Sequence, residues 1–311
     1  MSHPHPHRHE LSKGTHLTRK HQEWLQGYAF ITPAIIILGI FLVLAVVFVF
    51  YLSFNNVNLF TRSYSFVGFD NFLRLPSDHM AMRAIRNSLT FSAIVVPIQT
   101  LISLMLAYVL SSGIKGNKTF RSILFLPTLT SSSALTLIFM FMFNVQGPVN
   151  GILLEMGLIS TRINFLQDTS FTLPIIMVMC IWSTVPMYMT LYIASLVDLP
   201  GSMYEAADLD GANVVQKFFS ITIPYLRPIT TYVLLTGIIG TLQMFDQAYI
   251  FSNGSGGPAN STLTISLLVY RYAFGPQNAM GYAATLAVIL AVIILTISLI
   301  VNKINKEEKV Y

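Results

Sequence analysis

The feature that most constrains this chain is a series of long intervals without Asp, Glu, Lys or Arg. A helix needs roughly 20 mostly apolar residues to cross a bilayer. The charge-free intervals of that order are 24–61, 87–114, 122–154, 169–197, 228–245, 247–270 and 272–302. The interval 247–270 is set aside because its stretch "SNGSGGPANST" would leave backbone groups unpaired in lipid. The sequence therefore predicts six spanning helices, at 28–54, 87–112, 121–143, 172–196, 226–250 and 279–302.

Composition agrees with a membrane protein. The chain is 54% hydrophobic and only 10% charged, whereas soluble domains are about 25% charged. The single cysteine, Cys180, excludes an intramolecular disulfide. We therefore expect an all-α, polytopic membrane fold.

The distribution of basic residues predicts the orientation. Six spans place both termini on one side, and cytoplasmic segments carry an excess of Lys and Arg. If the termini are cytoplasmic, only six of the 18 basic residues lie outside, namely Arg62, Arg74, Arg83, Arg86, Arg162 and Arg271. Cytoplasmic termini are therefore predicted.

The ends of the chain differ from its middle. Residues 1–27 are polar, basic and rich in His and Pro, which is typical of a disordered cytoplasmic tail. Its histidines at positions 3, 5, 7 and 9 could bind a metal weakly or have no such role. Residues 28–84 are predicted to form the first spanning helix and an outer loop. Residues 85–302 form one core domain, and residues 303–311 a second cytoplasmic tail.

One acidic segment, "EAADLDGANVVQKF" at residues 205–218, separates two of the most apolar stretches. Ser202 and Glu205 have the spacing of a capping box. Apolar residues recur three and four positions apart, which predicts an amphipathic helix over 202–219. Such a helix either rests on the membrane or docks in a protein groove. Membrane-surface helices are usually basic, so the net acidity favours docking.

The longer segment "EAADLDGANVVQKFFSITIPYLRP" resembles the EAA loop of ABC-transporter permeases. The flanking "WSTVPMYM", "FDQAYIFSNGSGGP" and "GYAATLAVIL" extend the resemblance to binding-protein-dependent carbohydrate permeases of the maltose and glycerol-3-phosphate type. These ordered motifs cover about residues 85–302. The resemblance implies the MetI-like fold of a type I importer permease with six transmembrane helices.

In that family the EAA helix couples the permease to a cytoplasmic ATPase. The resemblance implies that Glu205 meets a basic residue in the ATPase cleft and that Ala206 and Ala207 permit close approach. Asp208 belongs to the same surface, and Gly211 supplies a turn or contact. The implied partners are a second permease forming a heterodimer, two ATPase subunits that carry ATP and Mg, an external solute-binding protein and the lipid membrane. No nucleic-acid partner and no cofactor on this chain are expected.

The fifth predicted span carries two polar groups. Asp246 and Gln243 would share one helix face and would suit sugar hydroxyls. Alternatively, Asp246 reaches the outer interface and Gln243 bonds a neighbouring helix. The resemblance to maltose-type permeases implies a substrate path that includes Cys180, Thr184, Met187, Leu242, Gln243 and Asp246.

The chain shows no sign of its own ATPase or other catalytic site. The nearest approach to a phosphate-binding loop, "GIKGNKT", has Asn117 where glycine must precede the lysine. No catalytic set or metal-ligand spacing appears within the spans. The chain is therefore predicted to be a transport subunit, not an enzyme, in a bacterial inner membrane. A secondary transporter driven by an ion gradient is the alternative, which the lack of an inverted repeat disfavours; a passive channel or scaffold is a third.

Overall fold

The computed structural model describes residues 15–111 and 116–306. Its contacts divide the chain into two compact units, Met1–Tyr51 and Leu52–Tyr311. Through the first unit, α1 (Thr15–Leu38) continues by a π-helical segment into α2 (Ala45–Ser53). The side chains of this apolar helix are almost all exposed. A helix that is apolar on every side requires lipid or another protein segment around it.

The predicted disordered tail overlaps this helix. α1 begins at Thr15, so residues 15–27 are helical rather than part of an extended tail. The four histidines before position 10 lie outside the described residues, as do residues 307–311 at the other end.

A small hairpin follows the first span, where the sequence analysis predicted only an outer loop. Its strands are antiparallel, with Asn55 opposite Phe66. At the turn, the Asn58 side-chain oxygen accepts from the N–H groups of Phe60 and Thr61, both at 3.0 Å. Four-residue strands without a strong turn dipeptide give little signal in a sequence. The elements of this segment are β1 (Asn55–Asn58), β2 (Ser63–Phe66) and α3 (Asp70–Arg74).

The rest of the second unit is helical. The helices that follow are α4 (His79–Ser111), α5 (Asn117–Phe125), α6 (Ser132–Met142), α7 (Pro148–Glu155), α8 (Thr172–Val197), α9 (Gly201–Leu209), α10 (Val214–Lys217), α11 (Ile223–Tyr225), α12 (Arg227–Leu242), α13 (Asp246–Ser252), α14 (Ile265–Phe274) and α15 (Met280–Lys306). α4 packs along α8 and α12, and α14 packs along α15. Phe91, Met179 and Leu267 are among the large side chains that this packing buries completely.

The predicted membrane spans are confirmed, with different bounds. Five helices are long and apolar enough to cross: His21–Ser53, His79–Ser111, Thr172–Val197, Arg227–Ser252 and Met280–Asn305. A bent pair of helices supplies the sixth candidate. The fold is therefore polytopic and mostly helical, as expected.

The third span is not the single helix predicted at 121–143. Residues 119–129 and 132–142 form two helices whose axes differ by 97°. Pro127 lies in a 3₁₀ turn after α5 and has no N–H to continue a helix. Ser131 is extended, and its hydroxyl oxygen accepts from the Ala134 N–H at 3.3 Å, which starts α6.

The fifth span is also broken, within the predicted helix 226–250. α12 ends at Leu242 and α13 begins at Asp246. Phe245, between them, has φ −128° and ψ −59°, outside the helical region. Gln243 and Asp246 therefore do not share one continuous helix face, contrary to the prediction.

Candidate functional site

The acidic segment between α8 and α12 folds as two short helices rather than one. α9 ends just before Gly211, which takes φ +74°. Glycine adopts this left-handed conformation without the strain that a side chain adds. The Ala212 N–H donates to the Ala207 carbonyl at 2.9 Å and closes the helix. The predicted single helix over 202–219 is therefore wrong, because its own glycine terminates it.

The capping box is at α10, not at α9. The Asn213 side-chain oxygen accepts from the Gln216 N–H at 2.8 Å, and the Asn213 N–H donates to the Gln216 side-chain oxygen at 2.8 Å. At α9 the residue before the helix is Pro200, which offers no side-chain acceptor. The predicted pairing of Ser202 with Glu205 is therefore not formed.

Two contacts tie this segment to the helices above it. The Tyr204 hydroxyl lies 2.7 Å from Thr222 Oγ1, and Thr222 is completely buried. The Phe218 ring meets the Tyr108 ring of α4 edge-on, with centroids 4.7 Å apart. α9 is therefore joined to the π-helical stretch Phe218–Thr222, and that stretch contacts α4.

An ion pair connects α9 to α10. Lys217 pairs with Asp208 across the turn at Gly211. An exposed pair of this kind stabilises by only about 0–1 kcal/mol. The pair therefore adds little to stability, but it holds together the two helices on either side of the turn.

The outer face of α9 and α10 is both acidic and apolar. Leu209 is 91% exposed, although it is a large aliphatic side chain. Ala207 is half-buried beneath this face. The exposed residues of this segment include Glu205, Ala206, Asp208, Leu209, Gly211, Val214 and Val215. Contiguous exposed apolar residues bordered by charge are typical of a protein-binding surface.

A polar cavity of about 160 Å³ lies between α4, α8 and α12. Gln99 of α4 is only 1% exposed, and its side-chain oxygen accepts from Thr184 Oγ1 at 2.7 Å. Two predicted path residues, Cys180 and Thr184, line this cavity. The other polar lining residues are Gln99, Ser183, Tyr188, Thr241 and Gln247. The sequence analysis did not single out Gln99; an amide within the apolar run "VVPIQTLIS" is the signal that would have found it.

The other predicted path residues lie away from this cavity. Met187 is 55% exposed on α8, and Leu242 is completely buried in the apolar core. Gln243 and Asp246 are exposed at the break between α12 and α13. Of the six predicted path residues, Cys180 and Thr184 thus share the cavity between α4, α8 and α12, and the other four do not line it.

Gln243 lines a second recess, of about 460 Å³, between the α12–α13 break, α14 and α15. Three aromatic side chains line it as well. The centroids of Phe245 and Tyr270 are 5.3 Å apart, and those of Tyr270 and Phe274 are 5.4 Å apart. An amide beside exposed ring faces combines hydrogen bonding with apolar contact, which suits a sugar. The sequence analysis did not identify these aromatic residues.

A charged cluster joins the start of α4 to α14 and α15. Asp78 accepts from the hydroxyls of Tyr272 at 2.7 Å and Tyr282 at 3.0 Å, and from two backbone N–H groups at the start of α4. Burial raises the pKa of Asp78, but these hydrogen bonds outweigh it and hold the pKa below its ordinary 3.8. Burial and the bond to Asp78 raise the pKa of Tyr272 to about 12. The Arg74 guanidinium lies 4.3 Å from the Tyr282 ring centroid.

Within residues 15–111 and 116–306, no group of three or more His, Cys, Asp or Glu side chains is placed to hold a metal ion.

The fold and its apolar spans define a polytopic membrane protein. Residues 99–307 match the family of binding-protein-dependent transport system inner membrane components. Because the match covers more than half of the chain, the chain belongs to this family. It is a transport component and not an enzyme.

Individual relatives agree with that family. The chain is 33% identical to a lactose transport system permease protein of Rhizobium radiobacter, over 92% of this chain and 95% of that one. It is 31% identical to an arabinooligosaccharides transport system permease protein of Bacillus subtilis, over 91% and 89%. Its fold is similar to a chain of a bacterial alginate ABC transporter crystallised with an alginate-bound periplasmic protein. That similarity has a TM-score of 0.80 and 24% identity, over 94% of this chain and 97% of that one.

Proposed function

We propose that this chain is the membrane permease subunit of an ATP-driven importer for a sugar or related solute delivered by an external binding protein. Support comes from relatives whose names specify lactose and arabinooligosaccharides. The observation that carries the proposal is the exposed face of α9 and α10. Leu209, Val214 and Val215 are exposed beside acidic groups, and exposed apolar residues bordered by charge are typical of protein interaction sites.

In this proposal α9 is the coupling helix. Glu205 forms a charge-assisted contact with a basic residue of the ATPase, and Asp208 adds to the acidic surface. Ala206 and Ala207 allow the helix to approach closely because they have small side chains. Gly211 permits the turn that places α10 beside α9. Each residue therefore contributes charge, space or backbone conformation to one docking surface.

The remaining partners follow from this assignment. A second, unlike permease completes the transmembrane path, and two ATPase subunits carry ATP and Mg. This chain itself binds neither ATP nor Mg. The outer segments around 55–86, 144–171 and 252–278 meet the solute-binding protein. In this proposal the chain lies in the inner membrane of a bacterial cell. The distribution of basic residues supports a cytoplasmic location for α9, α10 and both termini.

For the solute path, we favour the aromatic recess over the polar cavity as the contact surface. Small-molecule sites usually have volumes of about 300–1,000 Å³. The recess, at about 460 Å³, is in that range, whereas the cavity, at about 160 Å³, is not. Gln243 then bonds solute hydroxyls and Tyr270 offers a ring face, while Asp246 lies exposed at the neighbouring helix start. Cys180 and Thr184 contribute a polar wall deeper between the helices.

The proposal is tested by uptake in proteoliposomes that contain the complete co-purified transporter. We expect uptake to require ATP and the binding protein, and to persist when ion gradients are collapsed. Glu205→Ala should lower ATP-driven uptake by about tenfold, because a hydrogen bond to a charged group contributes about 1.5–3 kcal/mol. Uptake driven by an ion gradient without ATP would favour a secondary transporter instead.

Glu23→Ala is the matched control. Glu23 is exposed on α1 and belongs to neither the coupling surface nor the outer segments. Its uptake should equal that of the wild type. If Glu205→Ala and Glu23→Ala transport equally well, with ATPase still bound, the coupling assignment is wrong.

A further inference from the structure

An apolar groove in the second unit has no part in the transport function proposed above. It has a volume of about 830 Å³ and lies between α4, α8, α5 and the 3₁₀ turn after α5. Its lining is entirely aliphatic apart from methionine, proline and tryptophan, and includes Ile98, Ile102, Leu106, Leu124, Val178 and Met189. Because α4 and α8 span the membrane, the groove is at the depth of the lipid hydrocarbon.

The groove is elongated along the helices. It extends from Ile98 to Leu106 on α4 and from Val178 to Met189 on α8. At 1.5 Å rise per residue, these stretches are roughly 12 Å and 16 Å long. Leu126 and Pro127, in the turn just before the 97° bend, complete the wall of the groove. A narrow apolar slot parallel to spanning helices has the shape of an extended acyl chain.

A basic group stands at one end of the slot. Arg121 lies three residues before the lining residue Leu124, and so on the same face of α5. Its Nη2 donates to the Leu110 carbonyl at 2.9 Å, and Leu110 lies one turn beyond the lining residue Leu106. The Arg121 Nε is buried without a hydrogen-bond acceptor among the described residues. The guanidinium therefore lies beside the end of the groove that Leu106 and Leu124 line.

The sequence around Arg121 adds positive charge and no negative charge. Lys115 and Lys118 precede it, and residues 79–154 contain no Asp or Glu. In the proposed orientation, which this inference adopts, that end of the groove faces the cytoplasm. Basic pockets between transmembrane helices on the cytoplasmic side bind anionic lipid headgroups.

We propose that this groove binds an anionic phospholipid, with one acyl chain in the slot and the phosphate at Arg121. The aliphatic walls exclude a polar solute, and the charge at the end selects a negative headgroup over a zwitterionic one. The competing occupant is a helix of the second permease, which would fill the slot but leave Arg121 without an anion.

Retention of lipid by the complete transporter tests this proposal. The transporter is reconstituted in nanodiscs of equal phosphatidylcholine and phosphatidylglycerol, purified, and weighed by native mass spectrometry without solute or ATP. We expect retained phosphatidylglycerol on the wild type and at least a fivefold loss in Arg121→Gln and in Ile102→Trp, which fills the slot. Arg121→Lys should retain the lipid because it keeps the charge.

Two controls match these variants. Lys303→Gln removes an exposed positive charge at the end of α15, and Leu295→Trp enlarges an exposed residue of α15 outside the groove. Both should retain lipid, as should Glu205→Ala, so failure of the coupling assignment would leave this result intact. Unchanged retention in both test variants overturns the proposal. Equal retention of phosphatidylcholine, or a cross-link from Ile102→Cys to the second permease, also overturns it.

Discussion

The hydroxyl oxygen of Tyr204 lies 2.7 Å from Oγ1 of Thr222, and this contact joins an exposed helix to a completely buried residue. We expect Tyr204→Phe to leave the ATPase bound but to weaken transmission of its movement. One hydrogen bond contributes about 1 kcal/mol, so the number of solute molecules moved per ATP should fall by about twofold to fivefold. Paired uptake and ATPase assays on reconstituted transporter measure this ratio.

Tyr225→Phe is the control for that substitution. Tyr225 is exposed on α11, and its hydroxyl has no hydrogen bond to the part of the chain that the structure describes. Its ratio should equal that of the wild type. An unchanged ratio in Tyr204→Phe would show that the Thr222 contact does not transmit the movement.

Gly211→Ala should weaken docking of the ATPase through the backbone alone. A Cβ at Gly211 would meet no atom within 4 Å, yet the residue has φ +74°. A side chain in this left-handed conformation costs roughly 1–2 kcal/mol, so the turn between α9 and α10 should lose population. We expect about a tenfold weaker affinity for the purified ATPase, measured by titration of the permease in nanodiscs.

Gly201→Ala is the control, because it replaces a glycine of the same helix that does not have a positive φ. Gly201 also has open space around a Cβ, but its φ is negative. Alanine is the better helix former, so this variant should bind the ATPase at least as well as the wild type. Equal affinities for the two alanine variants would contradict the role assigned to the Gly211 turn.

The spans could be predicted from the sequence because length and apolarity alone decide which segments can cross a bilayer. The two breaks could not. Pro127 is a local signal for a break that the prediction of one helix over 121–143 did not use, and the 97° bend also depends on how α5 and α6 pack against α8. The break at Gln243–Phe245 has neither Pro nor Gly within it, so no local signal marks it.

The exposed acidic segment was largely predictable and the membrane cavity was not. The charge pattern around Glu205 predicts an exposed helical segment, although one glycine divides the predicted helix in two. Gln99 and Thr184 are far apart in sequence, and only packing of α4 against α8 brings them to 2.7 Å. The aromatic recess likewise combines residues from separate helices.

Gly237→Ala should disrupt the Gln99–Thr184 hydrogen bond. A Cβ at Gly237 would lie 2.6 Å from the Gln99 side-chain nitrogen and 3.4 Å from Val96. Gln99 would have to move away, and overpacking of this kind destabilises by about 1–3 kcal/mol. We expect a lower midpoint of thermal unfolding in detergent. Gly240→Ala, one turn along α12 with nothing within 4 Å, should unfold at or above the wild-type temperature because alanine is the better helix former. Equal decreases in both variants would argue against the close contact.

The ionised Asp78 carboxyl should stabilise the wild type at neutral pH and stop doing so at acid pH. The fold lowers the pKa of this carboxyl below 3.8, so its stabilising contribution is complete above that value and is lost as pH falls through the folded pKa. The difference in unfolding midpoint between the wild type and Asp78→Asn should therefore be constant from pH 7 to about 5 and shrink below 3.8. Thermal unfolding across this pH range measures it.

Asp70→Asn controls for removal of a carboxylate nearby. Asp70 is exposed at the start of α3, and Asp70→Asn should lower the unfolding midpoint at pH 7 by less than Asp78→Asn does. A difference between Asp78→Asn and the wild type that does not change with pH would show that the bonds from Tyr272 and Tyr282 do not favour the ionised carboxyl.

Substitutions of Gln243 and Gln99 distinguish the aromatic recess from the polar cavity as the surface that contacts solute. If solute contacts the aromatic recess, Gln243→Leu removes a hydrogen bond to it, and the KM of uptake should rise about fivefold, which corresponds to about 1 kcal/mol. Tyr270→Leu should act in the same direction by removing a ring face. Tyr232→Leu, exposed on α12 outside the recess, should leave KM unchanged. If Gln99→Leu raises KM while Gln243→Leu does not, the solute instead passes through the polar cavity between α4, α8 and α12, and the recess is a surface for the second permease.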